Sequence, residues 1–177
     1  MRIIAVGAHP DDIEIFMLGL MLRFKNEGNE IHFLVATDGS LGGTESKTKL
    51  KKIRSKETSS ALKCFGKLHL LELPDGSLGD KESHKNILKT TINGLKPDLV
   101  VTHYQKDYHS DHRALSVIVK KVVGHYTPII FCDTLMGINF IPNYYVDITE
   151  FFEFKRNAIM KHESQNPNRF VELAKLM

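Results

Sequence analysis

The sequence changes abruptly in character at residues 8–14, which read AHPDDIE. Before them lies the apolar run 3–7, typical of a buried strand, and after them apolar residues recur with helical spacing as far as Phe24. Pro10 suits the first position of a helix, because the amide hydrogen that it lacks would be unpaired there. The pattern predicts a strand, a tight turn and a helix, and it constrains the fold more than any other segment.

Four side chains that can bind protons or metal ions crowd this turn: His9, Asp11, Asp12 and Glu14. Carboxylates next to a helix start can be capping groups that accept hydrogen bonds from unpaired backbone donors. They can also be metal ligands, since His9 and Asp12 are three residues apart and close enough to face one ion. In that interpretation Asp11 stays free to handle a proton. The segment alone leaves capping and metal binding open.

A second cluster of the same residue types occurs later in the chain. Residues 109–113 read HSDHR and stand between an apolar strand and an apolar helix. Here too Asp111 could be a helix cap, and His109 could be an exposed loop residue. Two ligand-type clusters in the same strand–loop–helix context nevertheless favour a metal site, with His112 joining the ligands of the first cluster.

Apolar and helical segments alternate along the chain, with turn-forming residues between them. The predicted strands are 2–7, 30–37, 67–73, 98–103 and 128–133, with a short strand at 144–147, and the predicted helices are 11–26, 48–65, 82–95, 111–123 and 149–164. This order predicts an α/β, Rossmann-like three-layer sandwich with a mostly parallel sheet of strand order 3-2-1-4-5, plus the short C-terminal strand and helix. Ligands of such sheets bind beyond the carboxyl ends of the strands where the order reverses, between strands one and four. The topology therefore brings His9 and Asp12 to His112.

The composition is that of an ordinary globular domain. The chain has 177 residues, 42% hydrophobic and 25% charged, which suits one domain spanning residues 1–177. No apolar run approaches the length that spans a bilayer, and carboxylates interrupt the segment where a signal peptide would need its apolar core. Cys64 and Cys132 lie in apolar segments and are predicted to be reduced core residues. We therefore expect a cytoplasmic protein.

The positive charge is unevenly distributed. A net charge of +3 is too small to indicate a nucleic acid partner by itself, but residues 47–56 contain five lysines and one arginine. This stretch is either a solvated helix face or a patch that attracts an anionic substrate, such as a phosphorylated or nucleotide-linked one. The loop 38–43 is rich in turn formers but lacks a lysine at the Walker spacing, so no nucleotide phosphate loop is predicted.

The residue types suggest a reaction. Two histidines and one carboxylate around an open fourth position are typical of a catalytic zinc site, although iron or manganese would accept the same ligands. Asp11, next to a predicted ligand, is the candidate general base. His109 would line the same cavity and, as a cation, could stabilise an oxyanion or protonate a departing amine. Asp111 could orient His109. These parts suit hydrolysis of an amide or an ester.

At its two motifs, AHPDDIE at 8–14 and HSDHR at 109–113, the sequence closely resembles the PIG-L/LmbE-like family of zinc-dependent N-deacetylases. Weaker matches extend this resemblance over nearly the whole chain: residues 37–39, Arg54 with Glu57, residues 74–76, residues 146–149 and residues 162–165. The resemblance implies a Rossmann-like fold, zinc, and removal of an acyl group, usually acetyl, from an amino sugar.

The resemblance also implies roles for individual residues. The family's metal ligands carry over to His9, Asp12 and His112. Its general base carries over to Asp11, and its oxyanion-stabilising histidine carries over to His109, with Asp111 tuning it. Arg54 and Asp75 match positions that resemble the family's substrate-contacting residues.

Three features depart from the family pattern. Residues 16–20 are bulkier than the small residues that members often have there, and Ser110 replaces a frequent proline. The chain also stops soon after Gln165, where relatives commonly continue. We expect different packing beneath the site, and the short end would remove one pocket wall or an oligomer contact.

The leading hypothesis is a zinc-dependent N-deacetylase that acts on an N-acetylated sugar or sugar conjugate, including a phosphorylated or nucleotide-linked sugar. One alternative is another metal-dependent amidase or esterase on the same scaffold. A second is a catalytically inactive metal-binding or sugar-binding protein. A homo-oligomer is compatible with the sequence, whereas a membrane span and a nucleic acid partner are not indicated.

Overall fold

The computed structural model of the protein describes residues 1–79, 81–133, 135 and 140–176. Five strands form one sheet: β1 (Arg2–Gly7), β2 (Glu30–Thr37), β3 (Lys67–Leu73), β4 (Leu99–Thr102) and β5 (Ile129–Phe131). Their order is β3-β2-β1-β4-β5, and every neighbouring pair is parallel. The predicted α/β class and the predicted strand order are therefore confirmed.

Helices cover both faces of this sheet. In the described part of the chain the α-helices are α1 (Leu18–Asn26), α2 (Lys47–Leu62), α3 (Glu82–Leu95), α4 (Ser110–Val123), α5 (Phe152–Ile159) and α6 (Pro167–Leu176). Successive side chains of a strand point to opposite faces, so Ile3 and Ala5 of β1 pack with α1, α2 and α5. Ile4 and Val6 pack with α3 and α4 on the other face. The three central strands, β1, β2 and β4, are buried on both sides, which explains their continuous apolar runs.

The helix of the first motif begins later than predicted. A tight turn occupies residues 8–11, and after Asp12 a π-helical turn, Ile13–Met17, leads into α1. Pro10 therefore lies within the tight turn and not at the first position of a helix. A π-helical turn inside a helix is rare and is found mostly at functional sites.

The predicted short strand at 144–147 is wrong. These residues form no regular structure, and Tyr144 and Tyr145 are 76% and 80% exposed. A strand needs a paired edge and a face packed on the core, and neither tyrosine has such a face. Residues 136–139, in the segment before it, lie outside the described residues.

The predicted last helix, 149–164, is divided in the structure. It consists of a 3₁₀ turn at Thr149–Phe151, then α5, then a second 3₁₀ turn at Glu163–Gln165. Helix α6 was not predicted. Asn166 takes a left-handed conformation (φ 53°) that ends the second turn, and Pro167 then begins α6, where its missing amide hydrogen costs no hydrogen bond.

Both cysteines are free thiols, as predicted. Cys132 is buried, whereas Cys64 is exposed just after α2, so its predicted place in the core is wrong. No helix among the described residues combines the length and the apolarity that crossing a membrane requires.

The two motifs leave neighbouring strands at the same edge of the sheet. Val6 of β1 stands opposite Thr102 of β4, so the chain segments that follow these two strands lie side by side. The turn after β1 is tight enough to require glycine, because a Cβ at Gly7 would lie 2.9 Å from Ile13 Cγ1 and 3.2 Å from Asp12 Cβ. The fold thus positions both motifs around one crevice.

Candidate active site and metal centre

Three side chains of the two motifs converge in this crevice. His9 Nδ1 lies 3.3 Å from Asp12 Oδ2, Asp12 Oδ1 lies 3.2 Å from His112 Nε2, and the two histidine nitrogens are 3.3 Å apart. Zinc bonds of about 2.0–2.1 Å at tetrahedral angles place neighbouring ligand atoms about 3.3 Å apart. All three residues are buried. The three distances are close to this spacing, with the two contacts of Asp12 made by its two carboxylate oxygens.

The remaining ring nitrogens of both histidines face other carboxylates. His9 Nε2 lies 3.2 Å from Asp75 Oδ1 and 3.4 Å from Asp111 Oδ2. His112 Nδ1 lies 3.1 Å from Asp107 Oδ2. If each ring proton faces those carboxylates, His9 Nδ1 and His112 Nε2 carry lone pairs that are directed at the Asp12 carboxylate. Electron-rich atoms that converge in this way suit a cation.

The same carboxylates favour positive charge on the histidines. Burial opposes the charge of His9, but the carboxylate of Asp12 and contacts with two further carboxylates hold its pKa well above the usual value. Burial also opposes the charge of His112, but Asp12 and Asp107 raise its pKa to about 9. A metal ion would compete with protons for these two nitrogens.

Asp11 lies beside these three residues in a strained backbone conformation. Its φ is 113°, a value that residues other than glycine rarely adopt, and such strain is concentrated at functional sites. Its Oδ2 lies 3.0 Å from Arg54 Nη2. Burial raises the pKa of Asp11 to about 6, although Arg54 opposes this rise. A carboxylate with a pKa close to neutrality is suited to accept and return a proton.

Arg54 is 3% exposed, and its guanidinium faces protein groups. Besides the ion pair with Asp11, it donates hydrogen bonds to the carbonyl oxygens of Pro10 and Gly39. Gly39 makes room for it, since a Cβ at that position would lie 2.5 Å from Arg54 Nη1. This placement favours a role in holding Asp11, and the substrate contact inferred for Arg54 stays a prediction.

His109 lies just before α4 and is half-buried. Its Nδ1 accepts a hydrogen bond from the main-chain amide of Asp111 at 3.2 Å, and its ring meets the ring of His9 edge-on. Burial, together with the neighbouring histidines, lowers the pKa of His109. The contact predicted between Asp111 and His109 is thus made by the main chain. The carboxylate of Asp111 instead faces His9 and accepts a hydrogen bond from the amide of Gly76 at 2.9 Å.

Asp75 follows β3 and stands behind His9. Its Oδ1 faces His9 Nε2, and its Oδ2 accepts a hydrogen bond from the amide of Leu41 at 2.9 Å. Burial opposes the charge of Asp75, but His9, the amide of Leu41 and the charge of Arg54 together lower its pKa. The substrate contact inferred for Asp75 stays a prediction.

His103 is a buried member of the site that the sequence analysis missed. Its Nε2 lies 3.2 Å from Asp12 Oδ2 and accepts a hydrogen bond from the amide of Ala8, and its ring stacks on His112 with centroids 3.7 Å apart. It directly follows the strand that pairs with β1, and this position could have identified it. Three overlapping sets could hold an ion besides the convergence described above: Asp12, His103 and His112; His9, His109 and His112; His9, Asp75 and Asp111.

The fold and this crevice define a class of protein. A parallel α/β sheet carries histidines and carboxylates that could bind a metal ion at the carboxyl ends of adjacent strands, with a buried acid beside them. Residues 4–123 match the PIG-L family model, described as GlcNAc-PI de-N-acetylase. The match covers more than half of the chain, so the chain belongs to the PIG-L family.

The comparisons also identify individual relatives. The diacetylchitobiose deacetylase of Thermococcus kodakarensis is 25% identical over 194 residues, which cover 97% of this chain and 73% of that protein. The structure of N,N'-diacetylchitobiose deacetylase from Pyrococcus horikoshii, complexed with its inhibitor MPG, has a TM-score of 0.81 at 27% identity, with 97% and 73% of the two chains covered.

The same fold occurs with a different chemistry. The 4-carboxy-2-hydroxymuconate hydratase GalB of Pseudomonas putida KT2440 has a TM-score of 0.84, with 98% of this chain and 82% of GalB covered. It is 18% identical, so this similarity shows the fold alone. Fold similarity therefore leaves the reaction to be argued from the side chains of the site.

Proposed function

We propose that the protein is a zinc-dependent hydrolase that removes an N-acetyl group, or another N-acyl group, from an amino sugar or sugar conjugate. The observation that carries this proposal is the convergence of His9, Asp12 and His112 at ligand spacing, with Asp11 beside them. Membership of the PIG-L family supports it, as do relatives that are named as deacetylases of an N-acetylated disaccharide.

His9, Asp12 and His112 would hold a divalent ion, which would supply a Lewis acid to acidify a water molecule and polarise an acyl carbonyl. Asp11 acts as general base: it takes a proton from the attacking water and later delivers a proton to the departing amine. With a pKa of about 6 it is largely ionised at neutral pH and is still able to return the proton. Arg54 keeps the Asp11 carboxylate at a fixed place in the crevice.

His109 stabilises the oxygen anion that develops on the attacked carbonyl carbon. Its Nδ1 accepts a hydrogen bond from the Asp111 amide, so a neutral His109 carries its proton on Nε2. The lowered pKa of His109 keeps the ring neutral near pH 7, and the donor is therefore a neutral N–H group. This refines the expectation that a cationic His109 performs this step.

The basic stretch at 47–56 gives little support to a phosphorylated substrate. Lys49 and Lys51 pair with Glu45 and Glu72 at 2.9 and 3.1 Å, which neutralises part of its charge. The proposal therefore centres on N-acetylated sugars as a class. Phosphorylated and nucleotide-linked sugars remain members of the substrate panel.

The test is a substrate screen with zinc-loaded protein, in which acetate and free amine are quantified for a panel of N-acetyl sugars. We expect equimolar acetate and amine from at least one sugar. His112→Ala should lose both the metal and this activity, whereas His125→Ala, which alters an exposed histidine, should keep both.

Other results of this screen would support one of the alternative functions or overturn the proposal. Zinc-dependent cleavage of non-sugar esters or amides only would indicate another metal-dependent hydrolase. Binding of sugar without acetate release would indicate an inactive binding protein, and a wild-type protein that takes up no metal would overturn the proposal.

A further inference from the structure

Asp107 contacts both histidines of the second motif, the main chain of His109 and the side chain of His112. It is 2% exposed. Its Oδ1 accepts a hydrogen bond from the main-chain amide of His109 at 2.8 Å, and its Oδ2 lies 3.1 Å from His112 Nδ1. One carboxylate therefore reaches a proposed metal ligand and the backbone of the proposed oxyanion donor.

Asp107 Oδ2 and His112 Nδ1 face each other across 3.1 Å. Asp107 Oδ2 and His112 Nδ1 are both buried, and neither has a hydrogen bond of good angular geometry to another described group. A small rotation of the ring or the carboxylate closes a hydrogen bond over the 3.1 Å that separates them. Leaving both atoms unpaired would carry the full desolvation cost of a buried polar group, so the hydrogen bond is the favoured state.

This hydrogen bond decides which ring nitrogen of His112 has a lone pair available to bind an ion. A carboxylate is an acceptor only, so it keeps the ring proton on Nδ1. His112 Nε2, which lies 3.2 Å from Asp12 Oδ1 and 3.3 Å from His9 Nδ1, is then a free lone pair. Carboxylates behind metal-bound histidines commonly fix the tautomer and the ring orientation in this way.

We propose that Asp107 is a positioning residue that fixes the tautomer of His112 for metal binding. The inference rests on the proposed function in one respect, namely that His112 binds a metal ion. It goes beyond that function in assigning Asp107, which neither the motif nor the family resemblance identified.

The rival explanation is that Asp107 only shapes the loop. Its bond to the amide two residues ahead is an Asx-turn, and Asp147 makes the same turn with the amide of Thr149 at 2.9 Å. No histidine is among the described contacts of Asp147. Asp147→Asn is therefore a matched control for Asp107→Asn. In both variants Oδ1 can still accept the turn hydrogen bond. In Asp107→Asn, however, the amide NH₂ is directed at His112 Nδ1 and favours the tautomer with its proton on Nε2, toward the metal site.

The experiment compares wild-type protein with both variants. Zinc affinity is measured by competition with a chromophoric chelator, and the imidazole N–H signals of zinc-saturated protein are recorded by NMR. We expect Asp107→Asn to bind zinc about 10–100-fold more weakly and to lose a slowly exchanging Nδ1–H signal of His112. Asp147→Asn should match wild type in both measurements.

The outcomes separate this inference from the proposed function. Zinc binding by wild type with unchanged affinity and an unchanged N–H signal in Asp107→Asn would overturn the role of Asp107 alone. A wild-type protein that binds no zinc would overturn both. If Asp107→Asn does not fold, Asp107→Ser takes its place, because the serine hydroxyl can keep the turn while the group facing His112 is removed. The same loss of zinc affinity is then expected.

Discussion

At the scale of single residues, Asp11 should separate metal binding from chemistry. It is not among the three proposed ligands, and its pKa of about 6 suits proton transfer. We expect Asp11→Asn to keep stoichiometric zinc and to lose about 10²–10⁴-fold in kcat, the usual contribution of a general base. Metal analysis and steady-state kinetics on the same preparation check this, and full activity in the variant would remove Asp11 from the mechanism.

Lys155 is a second residue whose charge should have a measurable effect, here on the stability of the protein. It is 4% exposed, and burial lowers its pKa from 10.5 to about 8, against a small opposing effect of Cys132. Between pH 8 and pH 10.5 the unfolded state binds more protons than the folded state. The buried charge of Lys155 therefore lowers the stability of the folded state fully below pH 8, and this loss disappears as the pH rises to 10.5. At about 1.4 kcal/mol per pKa unit, this cost reaches about 3 kcal/mol.

Lys155→Met should therefore be more stable than wild type at pH 7, and the difference should shrink above pH 8. Urea unfolding at pH 7 and pH 10 measures it. Lys161→Met, which alters an exposed lysine after α5, is the control and should change stability little at either pH. A Lys155→Met variant that is less stable than wild type at pH 7 would show that the buried ammonium is well compensated.

At the scale of elements, a buried ion pair ties the π-helical turn to the C-terminal region. Glu14 Oε1 lies 2.8 Å from His162 Nε2, and both side chains are almost fully buried. Removing one partner leaves the other buried without a group to pair with, so Glu14→Leu should lower the free energy of unfolding by about 3–5 kcal/mol. The double variant Glu14→Leu/His162→Leu should lose much less than the sum of the two single losses. Denaturant unfolding of all four proteins gives the coupling, and additive losses would contradict the pairing.

At the scale of the whole molecule, the proposed metal site joins segments that are about one hundred residues apart in sequence. A ligand that binds only the folded state stabilises it by about 2.7 kcal/mol at one hundred times its Kd. We therefore expect zinc to raise Tm and a chelator to lower it again. His112→Ala should abolish this dependence, as scanning calorimetry at several zinc concentrations would show. A zinc-dependent shift that survives in His112→Ala would place the ion elsewhere.

Local patterns in the chain were sufficient for the strand order and for bringing the two motifs together. Apolar runs and helical spacing depend on neighbours a few residues apart, and the rules for parallel sheets do the rest. The same rules failed at the C-terminal region, where exposed tyrosines resemble a strand by composition but have no sheet to join.

The side chains that contact the histidines of the site were determined only by the tertiary structure. The sequence identifies His9 and His112 as site residues. It does not reveal that Asp107 contacts His112, that Asp75 contacts His9, or that His103 stacks on His112. These contacts join residues that are distant in sequence, or they depend on how a loop turns between two elements. Their distances are set to tenths of an ångström by how helices pack on the sheet, which no local pattern of residues records.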